Sequence, residues 1–78
     1  MGEMKLSSPD YDKLLSEFVE LRKEAGLSQK GLAQQLGVAQ SIVGRVENKT
    51  TVPAIDKFMA FLEPFGKTLA IVDLDTNK

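Results

Sequence analysis

The chain has 78 residues, with 10 Lys and Arg against 11 Asp and Glu for a net charge of −1; this is one small domain, near the size at which a single apolar core supplies only about 3–5 kcal/mol, so help from a second copy is expected. The absence of cysteine and histidine removes disulfides, thiolate and imidazole metal ligands and the usual general base, so no catalytic residue, metal or cofactor is expected. No apolar run approaches the roughly 20 residues that cross a bilayer, and the stretch around Met4 and Leu6 lacks a signal-peptide core, so the expectation is a cytoplasmic chain with no membrane partner.

Residues 1–8 read as an N-terminal segment. Ser8 is a good N-cap, Pro9 suits the first helical position, and Asp10 and Asp12 favour the positive end of a helix dipole, which starts a helix predicted over 9–25. Tyr11, Leu14, Leu15, Phe18, Val19, Leu21 and Arg22 recur at helical spacing, and Gly26 ends the helix as a left-handed residue. Leu27 then turns into the core. Ser28 caps a second helix over 29–36 with Leu32, Ala33 and Leu36 inward, Gly37 makes the turn, and Val38 plugs the space behind it.

A third helix over 40–47 directs Ile42, Val43 and Val46 inward to differing degrees, leaving Gln40, Ser41, Gly44 and Arg45 on its outer side. Two short amphipathic helices joined by a glycine turn form a helix-turn-helix, a unit that carries its second helix into the DNA major groove. Residues 48–53 are a turn-rich loop. A fourth helix over 54–63, with Ile55, Phe58, Met59, Phe61 and Leu62 apolar, stops before Pro64.

The tail breaks the helical pattern. Over 67–74, Leu69 and Ile71 alternate with Ala70, Val72 and Leu74, which predicts a β-strand. A lone strand leaves its backbone unpaired. Its simplest partner is the same strand of a second copy about a two-fold axis, and the alternative is residues 3–6 of its own chain. Two-fold symmetry also matches a palindromic DNA site. The boundaries are therefore 1–8, a DNA-binding domain over 9–66, and a dimerisation tail over 67–78.

Charge follows the same division. Residues 1–21 hold two Lys against five acids and residues 58–78 two against three, whereas residues 22–57 carry Arg22, Lys23, Lys30, Arg45, Lys49 and Lys57 against Glu24, Glu47 and Asp56. The positive charge lies on the suspected DNA face but is small, so a monomer is expected to bind weakly. Asp10, Asp12, Glu17, Glu20 and Glu24 give the first helix an acidic face suited to a protein partner. Asp73 and Asp75 read as solubilising charges.

The string from Leu21 to Asn48, LRKEAGLSQKGLAQQLGVAQSIVGRVEN, resembles the Cro/CI-type (XRE-type) helix-turn-helix family, and the likeness spans about residues 14–66. It implies a mainly α, lambda-repressor-like domain of four to five helices. The Ser-Pro start and the strand after Gly66 resemble the HipB-type antitoxin subgroup, which implies a dimer closed by a C-terminal sheet and autoregulation of a toxin operon.

Position by position, the resemblance places base contact on Gln40, whose amide suits the N6/N7 edge of adenine, and on Ser41, Gly44 and Arg45, the last against either guanine or a phosphate. It places phosphate contact on Gln29, with Lys30 beside it, and on the loop Asn48, Lys49, Thr50 and Thr51. Arg22 and Glu47 match a structural salt bridge. Three departures stand out: Ala39 replaces a capping Ser or Thr, Gly31 replaces an acidic residue, and Gly44 sits inside the recognition helix. Gly44 either lets that helix approach the groove floor or marks a position that no longer reads sequence.

Two function classes follow. One is a dimeric repressor on double-stranded, palindromic DNA. The other is a protein-interaction module, or an antitoxin holding a toxin with little DNA binding of its own.

Overall fold

The computed structural model describes residues 9–73, in which α1 (Pro9–Glu24), α2 (Gln29–Leu36), α3 (Gln40–Glu47) and α4 (Ile55–Leu62) are followed by a 3₁₀ turn, Glu63–Phe65. The Ser8 cap, the candidate pairing with residues 3–6, and Leu74 and Asp75 lie outside the described residues. Four helices stand where they were predicted, with ends shifted by at most a residue. The first stops at Glu24 rather than Ala25. The fourth gives way at Leu62 to the tighter turn containing Pro64, which needs no amide donor early in a helical turn.

Both ends of the turn into α2 are fixed by local chemistry. Gly26 adopts φ 74°, its N–H donates to the Lys23 carbonyl (2.9 Å), and the Leu27 N–H reaches back to Arg22 (3.1 Å). This paired closure uses carbonyls that the helix end leaves unbonded and sends Leu27 inward. Gly37 repeats the arrangement at the end of α2, at φ 72°, with the Val38 N–H on the Ala33 carbonyl (3.0 Å). A side chain at that left-handed φ would strain the backbone, so glycine sets the angle between α2 and α3.

The core gathers one stripe from each helix: Leu15 and Phe18, Leu32 and Ala33, Val43 and Val46, and Phe58, Phe61 and Leu62. Phe18 is its centre. Its ring meets Phe58 edge-on at 5.6 Å, stacks on Phe61 at 6.1 Å and meets Phe65 edge-on at 6.3 Å. Offset and edge-on contacts suit the ring quadrupole, and burying a side chain of this size contributes about 1.5–3 kcal/mol. Leu69, at the start of the tail, packs against the same cluster.

Three expectations are corrected. Residues 67–73 form no strand, and Ile71 is fully exposed (102%) with Val72 nearly so; alternation supplies the period of a strand, but a ladder needs a partner backbone, and the described residues contain none. Ile55, assigned to the apolar stripe of α4, is 69% exposed because it stands in the first turn, before the helix meets the core. Ile42 is 39% exposed, so Val43 and Val46 are the residues that α3 buries in the core. No described helix is long and apolar enough to cross a membrane.

Candidate nucleic-acid interface

The geometry of α3 follows from its period. At 3.6 residues per turn, Val43 and Val46 point to the core, which leaves Gln40, Ser41 and Arg45 exposed on the far side. Gly44 is half-buried. A methyl group built on it would lie 3.3 Å from the Gln29 Oε1 and touch nothing else except the Gln29 Cδ. The position expected to approach the groove floor therefore faces the first residue of α2. Ile42 joins the exposed set at the flank of the helix, turned about 100° round the axis from the buried Val43.

A charged clamp holds this helix in place. Arg22 donates from Nε to Glu47 Oε2 (2.7 Å) and from Nη2 to Oε1 (3.0 Å), while its Nη1 donates to the Leu27 carbonyl (2.9 Å). The two side chains are only 10% and 8% exposed. A two-pronged guanidinium–carboxylate pair with a third donor on a backbone carbonyl is an arrangement in which buried charges can be held. One guanidinium thus ties α1, the turn before α2 and the end of α3 together, the scaffold role expected for Arg22 and Glu47.

The phosphate candidates divide. The Gln29 side chain is engaged within the protein, its Nε2 donating to Glu47 Oε1 at 2.9 Å. Ser28 caps α2 by accepting the Gly31 N–H at 2.9 Å, and Lys30 is exposed. In the loop, Asn48 Oδ1 accepts the Thr50 N–H (2.9 Å) and the Thr50 hydroxyl, and the Thr50 and Thr51 amides donate to the Arg45 carbonyl (2.9 and 3.3 Å). These bonds shape the loop. They leave the Asn48 side-chain N–H groups and the Thr51 hydroxyl as exposed donors.

Lys49 has a partner that no local pattern announced: its Nζ lies 2.8 Å from Asp12 Oδ1 on α1. It also takes a left-handed φ of 67°, which costs a non-glycine residue about 1–2 kcal/mol. Tyr11 sits beside this pair; burial raises its phenol above the ordinary range, Lys49 opposes the shift and Asp12 adds to it. Among the described residues Lys30 and Arg45 have no ion-pair partner, so they are the cations of the face not already neutralised. Among the same residues no group of His, Cys, Asp or Glu is placed to hold a metal.

Comparison with known proteins agrees with this architecture. The helix-turn-helix family model matches residues 19–72. An uncharacterized HTH-type transcriptional regulator of Haemophilus influenzae is 39% identical over 61 residues, 78% of this chain; the chain spans 62% of that relative's length. Among solved structures, a chain of a toxin–antitoxin module from Streptococcus pneumoniae is 34% identical, with 96% of this chain and 97% of that one covered at a TM-score of 0.69. A chain from a HipB-O1-O2 complex shares the fold at 22% identity, with a TM-score of 0.70 over 91% of this chain and all of that one. With its two-helix unit, glycine turn and buried Arg22–Glu47 clamp in place, the chain belongs to the Cro/CI-type (XRE-type) helix-turn-helix family.

Proposed function

We propose that this protein is a sequence-specific DNA-binding transcriptional regulator that acts as a dimer on a palindromic site, a cytoplasmic repressor. The observation that carries the reading is the division of labour within α3: Val43, Val46 and Glu47 hold the helix, while Gln40, Ser41 and Arg45 are exposed along one side with no structural duty. Gln40 reads adenine, Arg45 meets guanine or phosphate, and Asn48, Thr51 and Lys30 contact the backbone. The modest positive charge favours two copies over one, with recognition helices roughly 34 Å apart. The exposed Ile71 and Val72 suit a tail that is covered when two copies pair through residues 67–74.

Selection from random duplexes, followed by titration at fixed salt, tests this. A palindrome is expected to emerge, and Gln40→Ala and Arg45→Ala are each expected to weaken binding to it by about 1–3 kcal/mol, the range of one two-pronged base contact. Truncation after Lys67 is expected to convert a dimer to a monomer by solution mass. Recovery of no sequence above the random pool would end the reading.

A second reading, an antitoxin that also holds a toxin protein, is favoured by the exposed acidic residues Asp10, Glu17, Glu20 and Glu24 along α1 and by the likeness to a chain of a toxin–antitoxin module. The doubly substituted Gln40→Ala, Arg45→Ala protein separates the roles, losing duplex binding and keeping any protein complex.

A further inference from the structure

Gly44 is the fifth residue of an eight-residue helix, a position where alanine is the better helix former. Its surroundings explain the exchange. A methyl there would come within 3.3 Å of Gln29 Oε1, closer than an ordinary van der Waals contact. The carboxamide has little freedom to retreat, because its Nε2 is bonded to Glu47 Oε1 at 2.9 Å, and that same oxygen accepts Arg22 Nη2 at 3.0 Å. Arg22 in turn is fixed by Glu47 Oε2 at 2.7 Å and by the Leu27 carbonyl at 2.9 Å, two residues before Gln29. The contacts form a closed circuit from α1 through the turn to the first residue of α2, across to the last residue of α3, and back. Gly44 lies one turn before Glu47 on the same side of α3, against Gln29, the one neutral side chain of that circuit.

We propose that Gly44 and Gln29 are positioning residues that set the angle of the recognition helix: the bare backbone at Gly44 seats the Gln29 carboxamide, which locks α2 onto α3 through Glu47. Gln29 acts within the protein, and phosphate contact at the start of α2 falls to the backbone N–H groups and Lys30. This rests on the DNA-binding reading for its affinity arm, while its stability arm stands independently.

The test is a double-mutant cycle of Gly44→Ala and Gln29→Ala, read by melting temperature and by affinity for the selected palindrome against a random duplex. An unobstructed Gly→Ala change in a helix interior raises the melting temperature of a domain this size by about 4 °C. That gain is expected in the Gln29→Ala background and is expected to vanish or reverse when Gln29 is present. Gly44→Ala alone is expected to lower affinity for the palindrome by about tenfold, with affinity for random duplex unchanged, since an angular error harms base contacts before phosphate contacts. An equal gain in melting temperature in both backgrounds overturns the proposal. Unaltered discrimination by Gly44→Ala overturns the positioning role even if the two residues couple in stability. Should the chain bind no duplex selectively, the DNA reading fails, and the melting cycle still decides whether Gly44 seats Gln29.

Discussion

The two helices of the helix-turn-helix are the same length and are held in opposite ways. α2 is secured at its own ends, by Ser28 on the Gly31 N–H and by the left-handed Gly37. α3 begins at Ala39 with no side-chain cap, and where the glycine of α2, Gly31, lies in the capped first turn, that of α3, Gly44, lies in the middle of the helix. Eight residues are too few to be stable as a helix alone, so both depend on packing. The difference is that α3 depends on little else: Val43 and Val46 in the core, and Glu47 in the clamp. A helix fixed from behind by a few tertiary contacts has its outer side chains free to vary with the sequence they read.

The largest expected effect comes from breaking the clamp. Glu47→Ala leaves the Arg22 guanidinium buried without its carboxylate, a loss of about 3–5 kcal/mol, comparable to the whole stability expected of a chain this small. Urea unfolding should show a protein unfolded or nearly so without denaturant. Replacing both partners, Arg22→Met with Glu47→Leu, should recover most of the loss, because no uncompensated charge remains. A cost below about 1 kcal/mol for Glu47→Ala would show that the apolar face of α3 suffices and would erase the contrast between the helices.

How much of this was legible in the sequence depends on the range of the interaction. Gly26, Gly37 and Pro64 act on the residues beside them, so the helix ends were readable within a residue. The Arg22–Glu47 pair spans 25 positions and came from the resemblance alone. Neither periodicity nor resemblance exposed the partnership of Lys49 with Asp12, or the diversion of Gln29 to Glu47, because each is created when α1, α2 and α3 close on one another. The tail failed for another reason. Its alternation is a strand's, yet strand formation depends on a second backbone, and Ile71 and Val72 remain uncovered in a single copy.

The contrast in capping can be sharpened from both sides. Ser28→Ala removes the acceptor for the Gly31 N–H and should cost about 1 kcal/mol; Ala39→Ser should add about as much, because Ala39 already has the extended backbone of an N-cap (φ −72°, ψ 148°) and a hydroxyl there needs no rearrangement. Thermal unfolding of the two variants should move by several degrees in opposite directions, about 4–8 °C per kcal/mol for a domain of this size. If Ala39→Ser has no effect, the first turn of α3 is already satisfied by its setting, and the helices differ less than their caps suggest.

The smallest effect on stability, and the most informative for binding, is expected from Asp12→Asn. The Asp12 and Lys49 side chains are 44% and 47% exposed, so their 2.8 Å ion pair is worth about 0–1 kcal/mol after solvent screening. Loss of the pair should therefore scarcely move the unfolding midpoint. In the intact protein, however, a phosphate approaching Lys49 competes with a carboxylate already in contact. Removing that carboxylate frees one cation and deletes one negative charge from the binding side, so duplex affinity should rise at low salt, and the slope of log affinity against log salt should steepen by up to about one unit. An unchanged slope would place Lys49 away from the DNA and assign it to holding the loop that follows α3 against α1. Either slope decides whether the last turn of the recognition helix is anchored by the protein alone or by the nucleic acid as well.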